Sequence, residues 1–224
     1  MHYVFQFGVV WDHWQELLDG AVATLWMSVA AFVFGLAFAV LCTFARTSRV
    51  AALRVAVRAY VEVIRNTPLL VQLFIVYFSL SSAGLRLEAD QAAVAGLALN
   101  FGGYAVEILR SGIDAVPHGH VEAATALGLR PFRIFRHVVL FPAIRVSYPA
   151  LASQFILILL GSSVVSAISA EELTSAVNSL QSTTFRSFEF YFAATAIYLV
   201  MALVVRGVLD LGFWAAFVRG RAAR

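Results

Sequence analysis

Five histidines and one cysteine are the side chains best suited to metal or nucleophile chemistry here, and their spacing supports neither. His2, His13, His118, His120 and His137 never recur at the i, i+4 interval that sets two imidazoles on one helix face, and no His-Glu-x-x-His occurs. Cys42 stands alone in an apolar run, so it can form neither an internal disulfide nor a paired-cysteine redox site, and reads as a small buried hydrophobe. All 16 basic residues are arginine. Without lysine there is no Schiff-base amine and no Gly-Lys-Ser/Thr loop to cradle phosphates, so the chain is not its own ATPase. An enzyme would also need His, Asp, Glu or Cys gathered near one place, and the sequence offers no such cluster.

What remains is non-covalent chemistry by polar side chains in apolar surroundings. Asn100 interrupts one apolar run, where its amide must find a partner. That partner is either a neighbouring helix or a polar solute passing by. Gln154, beside Ser153, poses the same choice in another run. Ser162, Ser163 and Ser166 follow; Ser162 and Ser166 share a helix face and, with Gly161, suit close helix packing more than ligand contact.

The elements that must position these groups are membrane spans. Of 224 residues, 61% are hydrophobic and 13% charged, about half the charge of an ordinary soluble domain. Five apolar segments emerge. The first runs from Ala21 to Phe44, the third from Gln91 to Leu109, the fourth from Ala143 to about Ile168 and the fifth from Phe190 to about Phe217. The second, Leu69 to Leu80, is too short to cross alone. Its helix must begin within Val50 to Ile64 and bend or break near Asn66-Thr67-Pro68. With the N-terminus outside, 14 arginines fall inside and only Arg86 and Arg186 outside, so the expectation is N-out, C-in. Residues 1–20 hold three acids and no lysine or arginine, with Trp11 and Trp14, and suit an interfacial segment. Residues 21–217 form the membrane domain, 111–141 its longest inner loop and 218–224 an inner tail. On the outside, Glu171 to Glu189 predicts a short helix and a loop. Glu62 spaces to pair with Arg58 and Arg65, and Glu107 with Arg110.

The inner loop is unusual. Pro117 precedes a run of helix formers and Gly128 follows it, a start and a stop in the right order. Pro131 can open a second short helix that carries Arg130, Arg133 and Arg136 along one face. A compact, part-apolar element of this kind suits a partner's groove; a loop resting on anionic lipid is the alternative.

Glu122-Ala123-Ala124, three residues, then Gly128, and later Leu140 to Ala143, resembles the Glu-Ala-Ala loop of ABC importer permeases. Arg65 to Gln72, Leu99 to Ile108, and Ser153 to Ile156 leading to Glu172-Leu173 resemble the polar amino-acid branch of that family, of the histidine, glutamine and arginine type. The resemblance spans roughly residues 20–210. It implies an all-α, type I importer permease fold with five transmembrane helices and a cytoplasmic coupling helix. Glu122, Ala123, Ala124, Gly128 and Arg133 would then couple to an ATPase subunit that binds ATP and Mg, no cofactor being held here. Asn100, Gln154 and Ser163 would line the substrate pathway. The implied partners are ATPase subunits, a second permease subunit, a periplasmic substrate-binding protein and membrane lipid, with no nucleic acid and no metal. The implied location is the bacterial inner membrane. Two departures stand out: Phe141 intervenes before Pro142, and Leu160-Gly161 stand where many relatives carry a lysine and a polar or acidic residue. The alternative function is a secondary transporter or channel subunit for a small polar solute, but neither an inverted repeat nor a midplane ionisable residue supports it.

Overall fold

The computed structural model describes residues 3–82, 84 and 86–218. His2 and the expected tail arginines Arg219, Arg221 and Arg224 lie outside the described residues. Every regular element among the described residues is helical. After a short turn of helix at Gly8–Asp12 come α1 (Trp14–Arg46), α2 (Ala51–Arg65), α3 (Leu69–Ser79), α4 (Ala89–Asp114), α5 (His118–Ala126), α6 (Pro131–Ile168), α7 (Leu173–Thr184) and α8 (Ser187–Phe217). Helices α1, α4, α6 and α8 are each long and apolar enough to cross a membrane, and α2 with α3 make a fifth candidate, bent by 118°.

The spans extend beyond the apolar runs that mark them, because polar and aromatic ends continue the same backbone ladder. Thus α1 starts at Trp14 rather than Ala21, and α4 ends at Asp114 rather than Leu109. The interfacial segment keeps Trp11 exposed. Cys42 is buried. A larger correction concerns the second short helix expected at Pro131. It is not a separate element but the first turn of α6, which runs on through a π turn at Phe135–Val139. That wide turn lies just ahead of Pro142, whose missing N–H and bulky ring would otherwise collide with the preceding helical turn. Beyond Gly161 the helix tightens to 3-10 over Ser162–Ile168, so Ser162 and Ser166 do not sit on the α-helical face their spacing suggests.

Helix α4 is the hub. Sixty-one per cent of its apolar core is buried, against 11% for α8. Small residues allow this. Lipid tails are as apolar as side chains, so helices in a membrane associate by close packing rather than by escaping water. Gly35 of α1 lies where a Cβ would stand 2.6 Å from the Ala98 carbonyl oxygen, and Gly112 faces Ala143 and Ser147 of α6 as closely. Phe32, Phe101 and Phe155 interlock where α1, α4 and α6 meet.

Contacts along the helices fix their directions. Arg46 meets Glu107 near the C-terminal ends of α1 and α4, and Gly35 meets Ala98 midway, so these two run parallel. Helix α6 runs against them: Ser147 bonds to Ile108, while the Glu171 amide beyond its far end bonds to Asp90. Helix α8 returns parallel to α1, with Tyr198 beside Thr174 and Phe213 stacked on Tyr148. Consequently the C-terminal ends of α1, α4 and α8 and the α5 elbow gather at one end of the bundle. The arginines of residues 46–65 and 110–145 gather with them.

Candidate functional site

At that end the chain leaves α4, forms α5 and re-enters the bundle as α6. Pro117 takes an extended backbone ahead of His118 and starts the helix. Gly128 stops it. Its φ of 74° is left-handed, the Gly128 amide donates to the Thr125 carbonyl and the Leu129 amide to that of Ala124. Together these bonds form a Schellman closure, which satisfies carbonyls left open by the last turn. Ala124 and Ile134 are buried beneath the elbow, where α5 packs on the first turns of α6. Glu122, Ala123, Gly128 and Arg133 face solvent. So do two large apolar side chains, Leu127 at 81% exposure and Phe132 at 71%. None of Arg130, Arg133 and Arg136 joins an ion pair among the described residues. Exposed apolar knobs rimmed by uncompensated charge are features that docking surfaces share. Of the expected coupling residues the elbow therefore presents four outward and keeps Ala124 as its foot.

The expected pathway residues are not joined to one another. The buried Asn100 donates its Nδ2 to Gln72 Oε1 at 2.9 Å, across from α4 to α3. Ser163 donates its hydroxyl back to the Leu160 carbonyl at 2.9 Å, and Gln154 is half-buried on α6. The residue that sequence reasoning passed over is Gln72. Its Nε2 donates to the Ile64 carbonyl at 2.9 Å and to the Thr67 carbonyl and hydroxyl at 3.1 and 2.9 Å. The break at Asn66-Thr67-Pro68 strips carbonyls of their helical donors, and one buried amide replaces those donors. Its own oxygen is then held by Asn100. A lone glutamine in an apolar run, four residues after a proline, was the available signal.

The expected ion pairs are half right. Glu107 does pair with Arg110, at 3.1 Å. Arg46 of α1 takes its other oxygen, and Arg110 also reaches Asp114 at 2.8 Å, giving a ladder across α1 and α4. The Glu62 pairs do not form. The Glu62 carboxylate instead accepts from Asn66 at 3.2 Å, and Arg65 lies over the Tyr104 ring at 5.8 Å. The helix ends at Arg65, so the side chain there is free to turn towards α4.

At the opposite end Glu172 is almost fully buried. It caps α7 by accepting from the Ser175 amide at 2.8 Å, accepts from Tyr198 of α8 at 2.6 Å, and has Thr24 of α1 at 3.4 Å. Burial pushes its carboxyl above the usual range, against the downward pull of the Tyr198 and backbone hydrogen bonds. A raised folded value means the native state holds the proton more tightly. Its contribution to stability is full below the ordinary Glu value and is lost as pH rises through the folded one. The thermal midpoint of the detergent-solubilised protein should therefore fall less between pH 4.5 and 7.5 in Glu172→Gln than in the parent. Parallel pH profiles would contradict this assignment.

A multi-span helical bundle with an exposed elbow at its arginine-rich end has the build of a membrane permease. Residues 31–212 match the family described as "Binding-protein-dependent transport system inner membrane component", and the chain belongs to it. It is a multi-pass transport component rather than an enzyme, of a family that works with a binding protein and an ATPase. The chain is 34% identical to the octopine transport system permease protein OccM of Rhizobium radiobacter, over 95% of this chain and 90% of that one. It is 34% identical to the glutamine transport system permease protein GlnP of Escherichia coli (strain K12), over 92% and 94%. A solved amino acid ABC transporter, crystallised with histidines, superposes with a TM-score of 0.87 at 35% identity, over 93% of this chain and 98% of that one.

Proposed function

We propose that the chain is the permease subunit of an ATP-driven importer of amino acids, polar ones in particular, in the bacterial inner membrane. The observation that carries the reading is the elbow. The elbow between α5 and α6 holds Leu127 and Phe132 in water beside unpaired arginines, and this is costly unless a partner covers them. That partner would be the ATPase subunit, which would bind ATP and Mg. Similarity to permeases named for glutamine and octopine transport supports the amino-acid class. In this reading the N-terminus lies outside, the arginine-rich end faces the cytoplasm, and a second permease, identical or related, completes the pathway. The binding protein delivers substrate from outside.

ATP binding would draw the two elbows together and rock the bundles, shifting the population from inward-open to outward-open by differential binding. The rigid α4 hub transmits that motion, since α1, α3 and α6 all pack on it. Proteoliposomes holding the permease, its ATPase and the binding protein should accumulate a labelled polar amino acid only when ATP is supplied. Accumulation driven by an ion gradient without ATP would favour a secondary transporter and defeat the proposal.

A further inference from the structure

A cavity of about 320 Å³ opens beside the break in the second span, lined by Arg65, Glu107, Ser111 and Ser147 together with apolar residues of α4 and α6. Its size is at the lower end of the ~300–1,000 Å³ typical of small-molecule pockets, enough for one small solute. The charges around it are unequal. Arg46 and Arg110 are both spent on Glu107, and Arg110 also on Asp114. Arg65 is in no ion pair among the described residues. It lies over Tyr104, whose ring supports the guanidinium plane without neutralising it. One uncompensated cation thus faces a small cavity of mixed lining. The acceptor there that no arginine holds is the Ser147 oxygen, oriented by donation to the Ile108 carbonyl at 3.2 Å.

We infer that this cavity is a station on the transport path for a zwitterionic amino acid, with Arg65 as its carboxylate-binding residue. The planar guanidinium matches a carboxylate in a two-point fork. The substrate ammonium then faces the Ser147 oxygen. The station is separate from Asn100, whose amide is committed to Gln72. Its single free charge keeps binding weak enough for release. This inference rests on the amino-acid permease reading.

The test uses the complete complex in proteoliposomes, in a Cys42→Ala background, with radiolabelled L-glutamine, L-arginine and L-histidine as probes. Arg65→Cys should lower ATP-driven import of the transported probe at least about tenfold, as expected for loss of a charge-assisted hydrogen bond. Treatment with cationic 2-aminoethyl methanethiosulfonate should restore import to within about threefold of the parent. The anionic 2-sulfonatoethyl reagent should not. Import by Arg65→Cys at the parental rate, or equal recovery with both reagents, overturns the station and leaves the permease reading intact. A parent complex that imports none of the probes overturns the amino-acid reading, and this inference with it. Arg58→Cys, two turns back on α2, is the control expected to import normally; an equal loss there would trace the effect to general surface charge and also overturn the assignment.

Discussion

Replacing Gly128 with valine should reduce ATP-driven import at least tenfold while the protein still folds and inserts. The effect has one source. Nothing lies within 4 Å of a Cβ placed there, so crowding is not at issue. The backbone is: φ is 74°, a region that costs an ordinary L-residue roughly 1–2 kcal/mol and a β-branched one more. A domain stable by ~5–15 kcal/mol survives that cost. The elbow need not, because the last turn of α5 can escape the strain by opening the Leu129–Ala124 and Gly128–Thr125 bonds. The chain would then leave α5 in another direction, and Glu122, Leu127 and Phe132 would no longer face one partner. Gly128→Asn tests the cause, since asparagine tolerates the left-handed region; it should retain most of the import that valine loses. Import assays on both variants, with thermal midpoints in detergent, decide the matter. Normal import by Gly128→Val, or an asparagine variant as poor as the valine one, would show that the elbow's shape does not matter.

The largest loss of stability should come from Gln72→Leu. The leucine fills similar volume but orphans the carbonyls of Ile64 and Thr67 and the amide of Asn100, all bonded to Gln72 in the parent. A buried group left without its partner costs about 1–3 kcal/mol, so a total of roughly 3 kcal/mol or more is expected even if water reaches the break. Asn100→Leu orphans only the Gln72 oxygen and should cost less. Adding Asn100→Leu to Gln72→Leu should cost less than Asn100→Leu does alone, because the amide it removes is already unsatisfied. Denaturation of the three variants measures this coupling. Strict additivity would mean that the two amides do not act as a unit.

The sequence made the fold's outline legible because membrane physics leaves few options. Uncharged runs mark spans, arginines mark one face, and proline followed by glycine brackets α5. Pro68 correctly forecast a broken second span, though not a bend of 118°. The start of α6 was not legible: Pro131 suggests a separate short helix, whereas a π turn ahead of Pro142 carries the chain on into one continuous helix. The helix of the elbow and its glycine stop were legible as well, since their signal is local. The polar interior was not. Whether Asn100 meets a solute or a neighbour depends on which face of α3 turns towards α4, and no spacing along α4 encodes that. The Arg46–Glu107 pair likewise joins residues 61 apart in sequence, within reach only because Gly35 lets α1 close on α4. Glu62 illustrates the reverse case: helix spacing permits its pairs with Arg58 and Arg65, but the helix ends at Arg65 and Asn66 folds back onto the carboxylate instead.

The account turns on α5 being gripped from the cytoplasm by the subunit that hydrolyses ATP. Thiol labelling of Ala123→Cys in membrane vesicles of known sidedness tests this most directly, because Ala123 is exposed and the native Cys42 is buried. A membrane-impermeant maleimide should reach Ala123→Cys from the cytoplasmic face alone, and bound ATPase subunit should block it. Labelling from the periplasmic face, or labelling that the ATPase leaves unchanged, would contradict the account.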